Sequence, residues 1–185
     1  MKTAAKLLLL LLLLSVAASA KKRDPLTEAE ADQLREVAME PFRRLKLYIK
    51  FADARLVAID QVRTDPKLAK DRSKQIHDLL ADFTAILDEI NDNLDQYQGR
   101  PLSKDDRKDF KKGLKEVIEA DERFDLKLRT LKSATETDPE ARKEAPDFRF
   151  VLQDAQEALK SNADMAREYI ETTPVEKKDE GEKKK

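Results

Sequence analysis

Between residues 38 and 170 the apolar side chains recur at alternating steps of four and three, and no other feature constrains this chain as tightly. Ala38, Phe42, Leu45, Ile49, Ala52, Leu56 and Ile59 form one run, and Ile76, Leu80, Phe83, Leu87, Ile90, Leu94 and Tyr97 form a second. The third passes through Phe110, Leu114, Val117, Asp121, Phe124, Leu128 and Leu131. Steps of four and three keep pace with the helical turn, so each run draws one stripe down a helix face, whereas a strand would alternate every second residue. A fourth, broader stripe follows Phe148, Val151, Leu152, Ala155, Leu159, Ala166, Tyr169 and Ile170; its alanines predict close approach to neighbouring helices. Three glycines and a 41% charged composition, rich in Glu, Lys, Leu and Ala, agree with long helices.

The punctuation divides the chain into the same four units. Thr27 and Glu30 have the spacing of a capping box at the first helix, and Asp65-Pro66 supplies a cap and a first-turn proline before the second. Gly99-Arg100-Pro101 ends the second helix, and Ser103 followed by Asp105 and Asp106 opens the third with acids where the helix dipole favours them. Asp138-Pro139 and Ala145-Pro146 bracket the link to the fourth, which stops near Thr173-Pro174. Short connections make successive helices antiparallel, so the expected fold is all-α, an up-down-up-down four-helix bundle. Pro41 lies within the first helix and predicts a kink there.

Residues 1–20 carry Lys2 and Lys6, a leucine run from Leu7 to Leu14, and Ala18-Ser19-Ala20, the pattern of a cleaved signal peptide. The apolar stretch is shorter than the ~20 residues that span a bilayer, which favours cleavage over anchoring. Export to the periplasm or beyond the cell is therefore expected, with no stable membrane anchor. Residues 21–26 are expected to be a flexible lead-in, 27–174 the helical domain and 175–185 a disordered charged tail. The 37 basic and 38 acidic residues are interleaved, so no field of one sign steers the chain onto nucleic acid. There is no cysteine, and a domain of this size can bury a sufficient core without disulfides.

Exported helical bundles can hold haem or paired metals, and the ligands here weigh against both. His77 is the sole histidine; a dimetal centre of the Glu-x-x-His type needs two, and covalent haem needs Cys-x-x-Cys-His. Haem held by His77 and Met39 is disfavoured by the height of Met39 along the rod; Met165 is nearer in height, but His77 is expected merely to flank the seam, so no cofactor is expected. Glycine-rich phosphate loops and serine elbows are also missing from the sequence, and no enzyme is expected.

One position departs from the pattern: Asp121 stands where its heptad partners are Leu114 and Leu128. A lone buried carboxylate is costly, so it must be paired, solvated or protonated. Folding the third and fourth helices together brings it level with Asn162, which interrupts the fourth stripe, with Ala52 at the same height and His77 at the margin. This layer has three readings: a polar layer that fixes register, partial exposure through twist or a kink, or a ligand pocket built on Asp121, Asn162 and His77. Leu47, Phe51, Leu79 and Ile86 lie beside the seams and would either widen the core or form a contact patch. Leu26-Thr27-Glu28 is similar, over three residues, to the Leu-Thr helix starts of small periplasmic helical chaperones, and a chaperone-like role is one form of the interaction module expected here. The expected function is thus a non-catalytic interaction or structural module with a protein partner, possible as a homodimer. The alternative is a small-molecule, metal or haem carrier using the mid-bundle layer.

Overall fold

The structure is a computed structural model in which residues 23–173 are described; the expected leader and charged tail lie outside this span. All regular secondary structure among the described residues is helical. The described residues form six α-helices: α1 (Glu28–Glu36), α2 (Pro41–Thr64), α3 (Arg72–Gln98), α4 (Lys104–Thr137), α5 (Pro139–Glu144) and α6 (Arg149–Thr172). Two 3-10 turns, Pro66–Asp71 and Ala145–Asp147, complete the links before α3 and α6.

The expected first helix is two helices, not one kinked rod. α1 begins as the sequence predicts, with the Thr27 hydroxyl accepting from the Glu30 N–H and the Glu30 carboxylate accepting from the Thr27 N–H. It ends at Glu36, and the chain leaves helical geometry through Val37 (φ −110°, ψ 24°) and Glu40 (φ −119°, ψ 80°). A proline forces its predecessor out of the helical region, and the first position of a new helix is where a missing N–H costs nothing. Pro41 therefore starts α2. Ala38, the first residue of the predicted seam, is exposed in the turn between the two.

The long helices do not ring the core in chain order. α2 packs on α3 and α4, and α6 also packs on α3 and α4. Consecutive α3 and α4 face each other across the centre, where Phe83 and Phe124 meet edge to face at 5.5 Å between ring centroids. The paired residues give the directions. Tyr48 with Glu89 and Arg55 with Asp82 run antiparallel along α2 and α3. Lys46 with Glu116 and Asp53 with Lys127 run parallel along α2 and α4, as do Asp95 with Tyr169 and Gln98 with Thr172 along α3 and α6. A five-residue link between α3 and α4 reaches ~17 Å when extended, while the diagonal of four helices spaced ~10 Å apart is ~14 Å. Shortness thus fixes the reversal of direction but leaves adjacency to packing.

The seams are buried nearly as predicted. Every member of the third run is buried, Asp121 included, and only Tyr97 of the second is partly open. On α2 the burial is wider: Tyr48, Phe51, Arg55 and Val62 join Leu45, Ala52, Leu56 and Ile59, while Phe42 and Ile49 are half-buried. Phe51 and Ile86 are core residues, and Leu47 and Leu79 pack at its edge, so the residues beside the seams widen the core.

Candidate functional site

The seam of α4 turns Asp121 inward, and the side chain is 4% exposed. Its Oδ2 is buried without a hydrogen-bond partner. Burial pushes the carboxyl up to about 8, and the Arg167 guanidinium on α6, which pulls the other way, does not overcome it. Burial at Asp121 thus favours the neutral acid over the carboxylate.

Asn162 on α6 is fully buried and faces α3. Its Nδ2 donates to Asn91 Oδ1 at 2.9 Å and to the Leu87 carbonyl at 3.4 Å, while its Oδ1 has no partner. Asp121 and Asn162 are therefore two buried polar groups on packed helices, and no hydrogen bond joins them. Ala52 is wholly buried on α2. His77 stands apart: its side chain is 49% exposed, its Nδ1 lies 3.4 Å from Asp78 Oδ1, and Leu87, the contact of Asn162, is ten residues or roughly 15 Å further along α3. Met39 is exposed in the turn between α1 and α2, and Met165 is partly buried on α6. Among the described residues no group of three or more His, Asp or Glu side chains is arranged to hold a metal ion.

The most connected polar cluster escaped the reading of the sequence. Arg55 of α2, buried among the apolar residues, donates to both carboxylate oxygens of Glu30 on α1, at 2.8 and 2.6 Å, and to the Pro25 carbonyl at 2.7 Å. Asp82 of α3 lies 3.8 Å from Arg55 Nε and pairs with Arg23, which also reaches Asp78 at 3.2 Å. The hydrogen bonds from Arg55 are the main cause that holds the Glu30 carboxyl below its ordinary value. Burial has the larger hand at Asp82 and raises its carboxyl despite Arg23. These contacts tie residues 23–30, including part of the expected lead-in, to the α2–α3 pair. One signal was available: Tyr48, Arg55 and Val62 repeat every seven residues on α2, and Asp82 and Glu89 do so on α3, which marks a second helix contact.

Comparison with protein-family models, curated proteins and solved structures finds no match to this chain. The functional reading therefore rests on the residues. At the end of the molecule where α4 leads into α5, Phe150 is 64% exposed beside a groove lined by Lys132, Thr135 and Glu136 of α4 and Gln153 and Gln156 of α6. The Arg149 guanidinium stacks over its ring at 4.5 Å.

Proposed function

We propose that the chain is an exported, non-catalytic interaction module, a bundle of four long helices with alternating directions that acts through its surface. The observation that carries this reading is Phe150, a large aromatic side chain held out of the core beside a polar-rimmed groove while the interior is filled by apolar residues. The leader pattern supports export, and N-terminal sequencing of the protein recovered from its native source is expected to begin at Lys21. The decisive test uses affinity capture of the full chain from native extract, with and without Phe150→Ser. A partner whose recovery drops about tenfold with the variant supports the reading; a partner list unchanged by the variant, or none, overturns it.

A carrier role has one observation in its favour, the unpartnered oxygens of Asp121 and Asn162 in the interior. Elemental analysis and absorption spectra of the purified protein test it. Bound metal or a chromophore lost on Asp121→Leu supports the carrier reading, and clean apoprotein from the native source rejects it.

A further inference from the structure

α1 is the least integrated of the helices that meet the core. Its nine residues are too few to hold helical structure alone, and it touches the body through one face that carries Leu34 and Glu30. Glu30 accepts two hydrogen bonds from Arg55, and Arg23 just before α1 reaches Asp82, so this segment crosses the outer side of the α2–α3 pair. Phe51, one turn before Arg55, and Ile86, one turn after Asp82, are buried although both lie off the seams. Without α1, Leu34 would leave the core and Arg55 would lose the Glu30 carboxylate and the Pro25 carbonyl, keeping Asp82 at 3.8 Å from its Nε. The groove thus requires a helix bearing an acid where Glu30 stands.

The hinge of α1 spans residues 37–40. Residues 37–40, Val-Ala-Met-Glu, contain no glycine and adopt no positive φ, and Met39 at the tip is 92% exposed. Bringing both Val37 (φ −110°, ψ 24°) and Glu40 (φ −119°, ψ 80°) to helical values would run α1 into α2 as the single helix that the Ala38, Phe42, Leu45 spacing favours. Pro41 opposes this opened form, since inside a helix it lacks a donor and clashes with the Val37 carbonyl. An opened chain has an empty groove and a free α1, and a second opened chain supplies the complement of each.

We propose that α1 is an exchangeable arm and that two copies of this chain dimerise by trading it, each α1 docking on the partner's α2–α3 groove. The inference rests on reading the protein as an interaction module and names a second copy as one partner. The contacts are those already seen within one chain, which is why another copy, whose α1 fits by construction, is the occupant rather than an unrelated helix.

The test mixes two charge-reversed variants. Glu30→Lys and Arg55→Glu each set like charges against each other, whether the arm docks on its own chain or on an identical copy. In a mixture, both exchanged contacts pair opposite charges. Native mass spectrometry is expected to show a 1:1 heterodimer on mixing and none for either variant alone; a mixture that stays two monomers overturns the proposal. Should Arg55→Glu unfold the α2–α3 pair, Pro41→Ala decides the matter. Relieving the opened helix of its proline in both copies is expected to tighten dimerisation by at least about a hundredfold in sedimentation equilibrium. A folded Pro41→Ala protein with the self-association of wild type overturns exchange. Neither result touches the Phe150 capture experiment, so the arm and the interaction reading fail separately.

Discussion

At position 121 a carboxyl group has no counter-charge in contact and no hydrogen-bond donor for its buried Oδ2. Its folded-state value of about 8 exceeds the unfolded value of about 4, so the folded chain binds the extra proton between those limits. The contribution to stability is whole below about pH 4 and is lost as pH rises through about 8. Urea denaturation is expected to show a decline of roughly 2–4 kcal/mol from pH 5 to pH 8 attributable to this group, and Asp121→Leu should flatten that decline and be the more stable protein at pH 7.5. Gly113 is the second informative position. A Cβ there would stand 3.0 Å from Leu45 Cδ2 and 3.6 Å from Phe42 Cδ1, so α2 and α4 approach closely at this point. Gly113→Ala is expected to fall within about 1 kcal/mol of wild type, since better helix propensity offsets a small shift of Leu45, whereas Gly113→Leu should lose ~2 kcal/mol or more by overpacking in thermal melts. The inward position of Asp121 was legible because its heptad neighbours are leucines. The contacts of Asn162 were not, because which helix it faces depends on the order in which the helices meet.

Among the elements, α1 depends most on individual polar contacts. Glu30 both completes the capping box and neutralises Arg55, so Glu30→Ala is expected to speed hydrogen exchange of the α1 amides by tenfold or more while the amides at the centre of α3 keep their protection. Acid should act on the same contact. The Glu30 carboxyl is held below its ordinary value, so its stabilising effect is present above the unfolded value and disappears as pH falls through the lowered one. An NMR titration should therefore show α1 docked at pH 5 and releasing only at the acid end, after exposed carboxylates have begun to protonate. The capping residues Thr27, Asp65 and Ser103 could be read from sequence since a cap is local chemistry. The division at Pro41 was read as a kink because the apolar spacing runs through it unbroken. The structure instead turns the chain there, gaining the burial of Leu34 and Val37 against the body.

For the whole molecule, the order of helices around the core is the property that sequence spacing does not encode. Carbodiimide coupling is expected to join Lys46 to Glu116 and Lys127 to Asp53 across the parallel α2–α4 contact; a ring in chain order would separate these pairs across the core and abolish both cross-links. The sequence by itself determined that the chain is helical, where its long helices end, and which face of each is apolar, because periodicity and capping act within a few turns of the backbone; the starts of the first two moved to Pro41 and, after a 3-10 turn over Pro66–Asp71, to Arg72. Only the tertiary structure decided which helices are neighbours, that α1 folds back over α2 and α3, and that Arg55 rather than His77 anchors the principal polar cluster. The physical reason is that an apolar stripe is content against any stripe of similar width. The choice among partners is made by side-chain fit at points such as Gly113 and Phe83–Phe124, and by charges that must find each other once the helices have closed.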